Sequence, residues 1–301
     1  MKYFSYKQYN LKDLITYKEK NKLSVGLCLP IYNEAATIAK TIQVVKRCDN
    51  LIDEIIAIDS GSSDGSIEIC KKFNINTITD KQSAKEINVS LQSGKGWNLW
   101  ASLYYLNTDI IFWIDTDIQN VGEQFITGVV GPMIMDNKIN FVKGYYHRPK
   151  NDARVTEIMV RPFINLIFPE LIDFIQPLSG EYGGRKKYLE KIDFYSGYSV
   201  EMAVLLQSVF KLKSSEIAQV YLGKRIHALQ SVISLGKMSS NILHTLLRIA
   251  NDNKRLKIDT NKLPDTLINF ISENGTDFIS KKQKIADKKL PPMIKIKTYG
   301  K

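Results

Sequence analysis

Asp115-Thr116-Asp117 closes an apolar run, residues 110–114, with two carboxylates. Like charges so close repel unless a cation lies between them. An aspartate at a strand end also serves as a turn or helix cap, but a cap needs one carboxylate. Hard oxygen donors point to Mg²⁺ or Mn²⁺, with phosphate oxygens completing the shell. Gly94-Lys95-Gly96 opens a helix. Its lysine either sits solvated in a turn or joins the first-turn amides around an anion. Asp59-Ser60-Gly61-Ser62-Ser63-Asp64 reads as a tight turn with Asp64 capping the next helix, which leaves Ser60 able to touch a ligand. Pro30-Ile31-Tyr32-Asn33-Glu34 follows the first apolar run. Of three histidines, His147 among Tyr145, Tyr146 and Arg148 reads as a packing or surface group. His244 reads as solvated on the polar stripe of a helix. His227, at a strand exit, is either an ordinary loop histidine or a further metal ligand. HExxH, GxSxG, a Walker loop and the Rossmann GxGxxG are absent.

The elements around these segments set their geometry. Strand-like runs at 23–29 (stopped by Pro30), 54–58, 76–79 and 110–114 alternate with helical periodicity at 36–48, 64–73 and 97–106. That alternation predicts an α/β fold with a mostly parallel, Rossmann-like sheet and flanking crossover helices. Ligands of such sheets bind beyond the carboxyl ends of the strands, so the four polar segments fall on one rim. Residues 1–22 read as a helical lead-in, and 80–94 as a polar stretch. Past Asn120 we expect a strand at 139–146, a helix at 154–168 kinked at Pro162, a helix at 200–210, a strand at 217–223 and an amphipathic helix at 235–250. Residues 231–280 form a C-terminal helical region in this reading, and 281–301 a lysine-rich tail.

With 301 residues, 44% hydrophobic and 24% charged, the chain can bury a sizeable core and is not a disordered one. No apolar run is long enough to cross a bilayer, and residues 1–20 carry no secretory h-region. Three cysteines without CxxC suit reduced thiols in the cytoplasm. Net charge is +11, but residues 281–301 supply +7 of it, with eight lysines against Asp287. The mildly basic body fits a small anionic substrate better than nucleic acid, and the lysine-rich end reads as a solvated tail.

Asn33-Glu34, the Asp59-to-Asp64 turn and Asp115-Thr116-Asp117 together resemble a GT-A glycosyltransferase. Further matches are Gly94-Lys95-Gly96, Arg154-Val155-Thr156-Glu157, Gln176-Pro177-Leu178-Ser179-Gly180-Glu181-Tyr182, Gly197-Tyr198-Ser199-Val200-Glu201, and Ile217-Ala218-Gln219-Val220 with Arg225 and His227. They resemble the glucosyl-3-phosphoglycerate synthases, in family order over about residues 24–250. That resemblance implies a retaining transfer of glucose from UDP-glucose to 3-phosphoglycerate with Mg²⁺ or Mn²⁺, on the way to the compatible solute glucosylglycerate. It implies a nucleotide-sugar half at 23–120 and an acceptor half at 121–230 of one GT-A domain, and a homodimer whose interface we expect on the helix at 235–249.

Carried over by position, Pro30, Ile31, Tyr32, Asn33, Glu34 and Ser60 hold the uridine. Lys95 meets the donor, and Asp115 and Thr116 contact its ribose or phosphate. Asp117 and His227 bind the metal, Tyr198 and Glu201 face the donor sugar, and Asp117, Lys95 and Glu201 carry the catalysis. Ala153, Arg154, Val155, Thr156 and Leu178 hold the acceptor. The chain departs from the family at Ala153, usually glycine, and at Ala228, Leu229 and Gln230, usually polar or basic. The nearest alternative is a related transferase using mannose, a GDP-sugar or a lipid-phosphate acceptor. A non-catalytic polyanion binder is a different class, and the paired aspartates with His227 speak against it.

Overall fold

The β-branched runs do form strands, and their lengths leave the polar segments at the exits. A computed structural model describes residues 1–148, 154–228, 230–272, 278–285 and 287–300. Its strands are β1 (Lys2–Ser5), β2 (Val25–Ile31), β3 (Glu54–Asp59), β4 (Asn76–Thr79), β5 (Ile110–Trp113), β6 (Phe141–His147), β7 (Tyr182–Arg185), β8 (Phe194–Tyr195), β9 (Ile217–Lys224), β10 (Thr266–Ser272), β11 (Phe278–Lys284) and β12 (Lys289–Leu290). Its α-helices are α1 (Leu11–Lys20), α2 (Ile38–Arg47), α3 (Ser66–Lys72), α4 (Asp80–Ile87), α5 (Lys95–Tyr105), α6 (Gln124–Met135), α7 (Arg161–Ile167), α8 (Lys186–Leu189), α9 (Val200–Lys211) and α10 (Val232–Asp252).

Eight strands make one sheet in the order β1-β9-β6-β7-β5-β2-β3-β4. All neighbours are parallel except β7, which runs against both β5 and β6. The chain winds from β2 outward through β3 and β4, then crosses back to β5 on the other side of β2. Strand order therefore reverses at β2, and a crevice opens between the exits of β2 and β5.

Two apolar cores cover the two faces. β2 alternates between them, sending Leu27, Leu29 and Ile31 to the core shared with α1, α2 and α6, and Cys28 to the core shared with α5, α9 and α10. That two-residue period is the pleat of a strand buried on both sides. Pro30 does not stop β2. β5 pairs only as far as Cys28, so the proline's missing N–H faces no partner there, and the strand runs on to Ile31.

Several expectations change. The lead-in is a strand followed by a helix: β1 pairs β9 and closes the far edge of the sheet. The polar stretch after β4 contains α4, which buries Ser83, Ala84 and Ile87. Pro162 lies inside one continuous helical run from residue 154 to 167, at the join between a π turn, Thr156–Val160, and α7, so the irregularity expected at the proline takes the form of that π turn. His244 is buried, 5% exposed, because its helix is covered on that side too. The region after α10 includes the β10–β11 hairpin, so it is not wholly helical. Within 281–301 the chain returns to the body: β12 pairs β8, and Leu290 and Met293 are buried. On α10, Ile242, Leu246 and Ile249 pack into the chain's own core, while Leu235 and Met238 are partly buried and Val232 and Ile233 are exposed. Among the described residues no helix is long and apolar enough to cross a membrane.

Candidate active site

A cavity of about 550 Å³ lies at the β2–β5 crevice. Pro30, Ile31, Tyr32, Glu34, Ser60, Lys95, Asp115, Thr116, Asp117, Arg154, Val155, Thr156, Leu178, Tyr198, Glu201 and His227 all line it. Two candidate residues are not on that wall. Asn33 turns away: its side-chain oxygen accepts the Ser63 N–H and its own N–H donates to Ser62 Oγ, so it ties the β2 exit to the β3 exit. A φ of 57° there suits an asparagine. Ala153 lies outside the described residues, as does Leu229.

The floor is an ion network. Lys95 Nζ contacts Asp115 Oδ1 and lies 2.6 Å from Glu201 Oε1. Arg225 Nη2 donates to Asp115 Oδ2 at 3.1 Å and to Asp117 Oδ1 at 2.7 Å, while its Nε reaches Glu181 Oε1 at 3.2 Å. Burial works against the charge on each group, and the neighbours decide the outcome. Lys95 and Arg225 hold the buried Asp115 carboxyl below the usual range. Burial alone would lower Lys95, yet Asp115 and Glu201 raise it well above an ordinary lysine. Glu181 has no exposure, and burial pushes its carboxyl up against the pull of Arg225.

Asp117 and His227 line the same cavity because two loops are zipped together. Gln119 N donates to Ile226 O at 2.9 Å, and Asn120 bonds both Ile226 N and Lys224 O. An isolated antiparallel bridge then pairs Ile118 with His227. Among the described residues no three His, Cys, Asp or Glu side chains form a complete metal cage. What the protein offers is one carboxylate and one imidazole on an open wall. The network above also sets four carboxylates against two cations, which leaves negative charge for a divalent ion to neutralise. That donor set fits Mg²⁺ or Mn²⁺ with diphosphate oxygens supplying the remaining positions.

Several lining residues had no role in the sequence reading. Asn98 lies one turn beyond Lys95 on the same face of α5 and bonds Ser60 Oγ at 2.9 Å and Ile58 O at 2.8 Å. That i, i+3 spacing was the available signal. Arg148, Arg225 and Lys237 bring basic groups from β6, the β9 exit and α10. Beneath them Lys143 is fully buried on β6, donates to Ser179 O at 2.8 Å and lies 4.2 Å from the Tyr182 ring. Burial pushes its ammonium down to about 7. A cation inside a strand gives no periodic signal, so only packing reveals it. Gly180 explains part of the Leu178-to-Glu181 run: a Cβ there would land on the Asp115 carboxylate.

Fold and site together define a nucleotide-sugar glycosyltransferase, and residues 27–204 match the family model described as Glycosyl transferase family 2. Similarity then extends over nearly the whole chain. It is 38% identical to glucosyl-3-phosphoglycerate synthase from Petrotoga mobilis, over 96% of this chain and 92% of that one. The crystal structure of glucosyl-3-phosphoglycerate synthase from Mycobacterium tuberculosis with Mn²⁺, UDP and glucosyl-3-phosphoglycerate is similar at a TM-score of 0.85 and 31% identity, covering 96% of each chain. Mannosyl-3-phosphoglycerate synthase from Rubrobacter xylanophilus gives a TM-score of 0.90 at 27% identity, covering 98% and 97%. The chain belongs to the glucosyl-3-phosphoglycerate synthase family.

Proposed function

We infer that the protein transfers glucose from UDP-glucose to the one free hydroxyl of 3-phosphoglycerate, with retention of the anomeric configuration. The observation that carries this is the cavity itself: the paired aspartates and His227 lie on the same wall as Lys95 and Glu201, with Arg154 and Thr156 in the same space. Asp117 and His227 would hold Mg²⁺ or Mn²⁺, which supplies charge for the departing diphosphate. Lys95, paired to Asp115 and Glu201, holds a positive charge at the same place. In the transfer the bond from C1 to the diphosphate oxygen breaks and the acceptor oxygen bonds C1. The acceptor's proton passes to the leaving phosphate on the same face, and UDP departs. Glu201 is 5% exposed and paired to Lys95, which suits holding the sugar rather than attacking it. A trapped covalent glycosyl adduct on Glu201 would refute the same-face route.

The test is a panel of UDP-glucose, GDP-glucose, UDP-mannose and GDP-mannose, each with 3-phosphoglycerate and with glycerate. The expected result is strongest turnover with UDP-glucose and 3-phosphoglycerate. Preference for a mannose donor would instead make the product a mannosyl-3-phosphoglycerate, as the Rubrobacter protein's name describes. The three buried free thiols support a reducing, cytoplasmic setting. A homodimer remains our proposal, now placed on the β10–β11 hairpin, where Phe270 and Phe278 are 69% and 70% exposed. Sedimentation of Phe270→Ser/Phe278→Ser should show monomer.

A further inference from the structure

We propose that Asp287, in the lysine-rich end of the chain, is a positioning residue that holds Glu201 and Lys95 in register over the donor sugar. The proposal rests on the reading of those two groups as facing the donor. Helix α9 begins just after Ser199, whose side chain makes no cap bond to its own helix. Asp287 supplies what is missing. Its Oδ2 accepts from Ser199 N at 2.9 Å and from Ser199 Oγ at 2.6 Å. A carboxylate that takes an N–H at the start of a helix also opposes the positive end of its macrodipole. The same carboxylate packs so tightly on Gly197 that a Cβ there would collide with it. Tyr198 and Glu201, the cavity's donor-side wall, therefore hang from a loop clamped by Asp287.

The neighbouring residues clamp α5 as well. Lys288 O accepts from Ser196 N at 2.9 Å, Lys288 N donates to Ser196 Oγ at 3.0 Å, and β12 continues the pairing along β8. Ser196 O in turn accepts from Trp97 N at 2.8 Å, and Gly96 lies so close to Tyr195 that a Cβ would land on its carbonyl oxygen. Trp100 Nε1, one turn further along α5, donates to Pro291 O at 2.7 Å. So the segment 287–291 grips the first turn of α5, which carries Lys95, and the first turn of α9, which carries Glu201. The 2.6 Å ion pair between those side chains spans the two gripped turns. Leu290 and Met293, both buried, anchor the segment.

Asp287→Ala and Asp287→Asn separate positioning from bulk structure. The amide keeps an oxygen for the Ser199 N–H, whereas alanine keeps nothing. The expected result is a fall in kcat on the order of tenfold or more for alanine, the loss of one charge-assisted hydrogen bond, with asparagine recovering most of it. UDP binding by calorimetry and the KM for 3-phosphoglycerate should stay near wild type, because neither the uridine side nor the Arg154 side touches the clamp. Wild-type kcat in folded Asp287→Ala overturns the proposal, as does a loss of UDP affinity and acceptor KM in step with kcat. Should the alanine variant not fold, Ser199→Ala carries the test. It removes the hydroxyl half of the clamp, and unchanged kcat in that folded variant is equally decisive against it. A wild-type enzyme that transfers no glucose to 3-phosphoglycerate would instead sink the functional reading.

Discussion

Arg225 shows how much one side chain can decide. It is 3% exposed and holds three carboxylates, Asp115 and Asp117 after β5 and Glu181 before β7. Arg225→Met should leave Glu181, which has no exposure, buried without the cation that pairs it and destabilise the fold by about 3–5 kcal/mol, measured by denaturant unfolding. Asp117→Ala and His227→Ala should each lower kcat on the order of a hundredfold and weaken Mn²⁺ binding by titration calorimetry. Undiminished activity in either variant would remove that residue from the metal. Arg154 donates to Gln230 O at 2.8 Å and is paired with no acid among the described residues. Arg154→Ala should raise the 3-phosphoglycerate KM, by roughly the 2–5 kcal/mol of a charge-assisted contact, and leave the UDP-glucose KM alone. An equal loss with glycerate would return Arg154 to a structural role. Residues at strand exits were legible in the sequence because the exits are where a parallel sheet presents its ligand side. Arg225 was quotable as part of a motif, yet its grip on three acids depends on strands distant in sequence, which no spacing encodes.

At the scale of elements, β6 carries a buried cation that the rest of the sheet must tolerate. Lys143 titrates near 7 in the folded chain against 10.5 for an ordinary lysine. Between about pH 7 and pH 10 the unfolded chain then holds a proton that the folded one has lost, so stability should rise with pH across that window. Urea unfolding of wild type and Lys143→Met should diverge accordingly, with the wild type gaining on the variant as pH increases. Parallel profiles would mean that Lys143 keeps its charge. The crossover pattern of the first half was readable because apolar runs and helical periods alternate cleanly there. Beyond Asn120 β6, α9, β9 and α10 fall where the sequence places them, but α6 and β7 were not readable. α6 is apolar all round and carries Pro132 inside, so it gives little amphipathic signal. β7 is four residues with two glycines, made readable only by its neighbours β5 and β6. The irregularity at Pro162 is a π turn ahead of α7, a form that has no sequence period of its own.

For the whole molecule, the lysine-rich end was misjudged on charge. Eight lysines suggested a solvated tail, but Leu290 and Met293 sit among them and fill the core under α5 and α9. Truncation before Asp287 should remove about 3–6 kcal/mol of apolar burial and lower Tm visibly in calorimetry. A truncated chain with wild-type Tm and kcat would restore the solvated tail. Two pairings close late. β1, the first strand made, finds its partner β9 more than two hundred residues further on, and β8 waits for β12. During synthesis the chain leaves the ribosome from its N-terminus, and folding follows that order as far as contacts allow. The β2–β5 crevice can assemble early, since β2 to β5 lie within the first 113 residues. The segment that brings Lys95 and Glu201 together emerges after everything it braces. Turnover should therefore appear in a growing chain only after Asp287 to Leu290 have emerged and paired, however early the β2–β5 crevice forms.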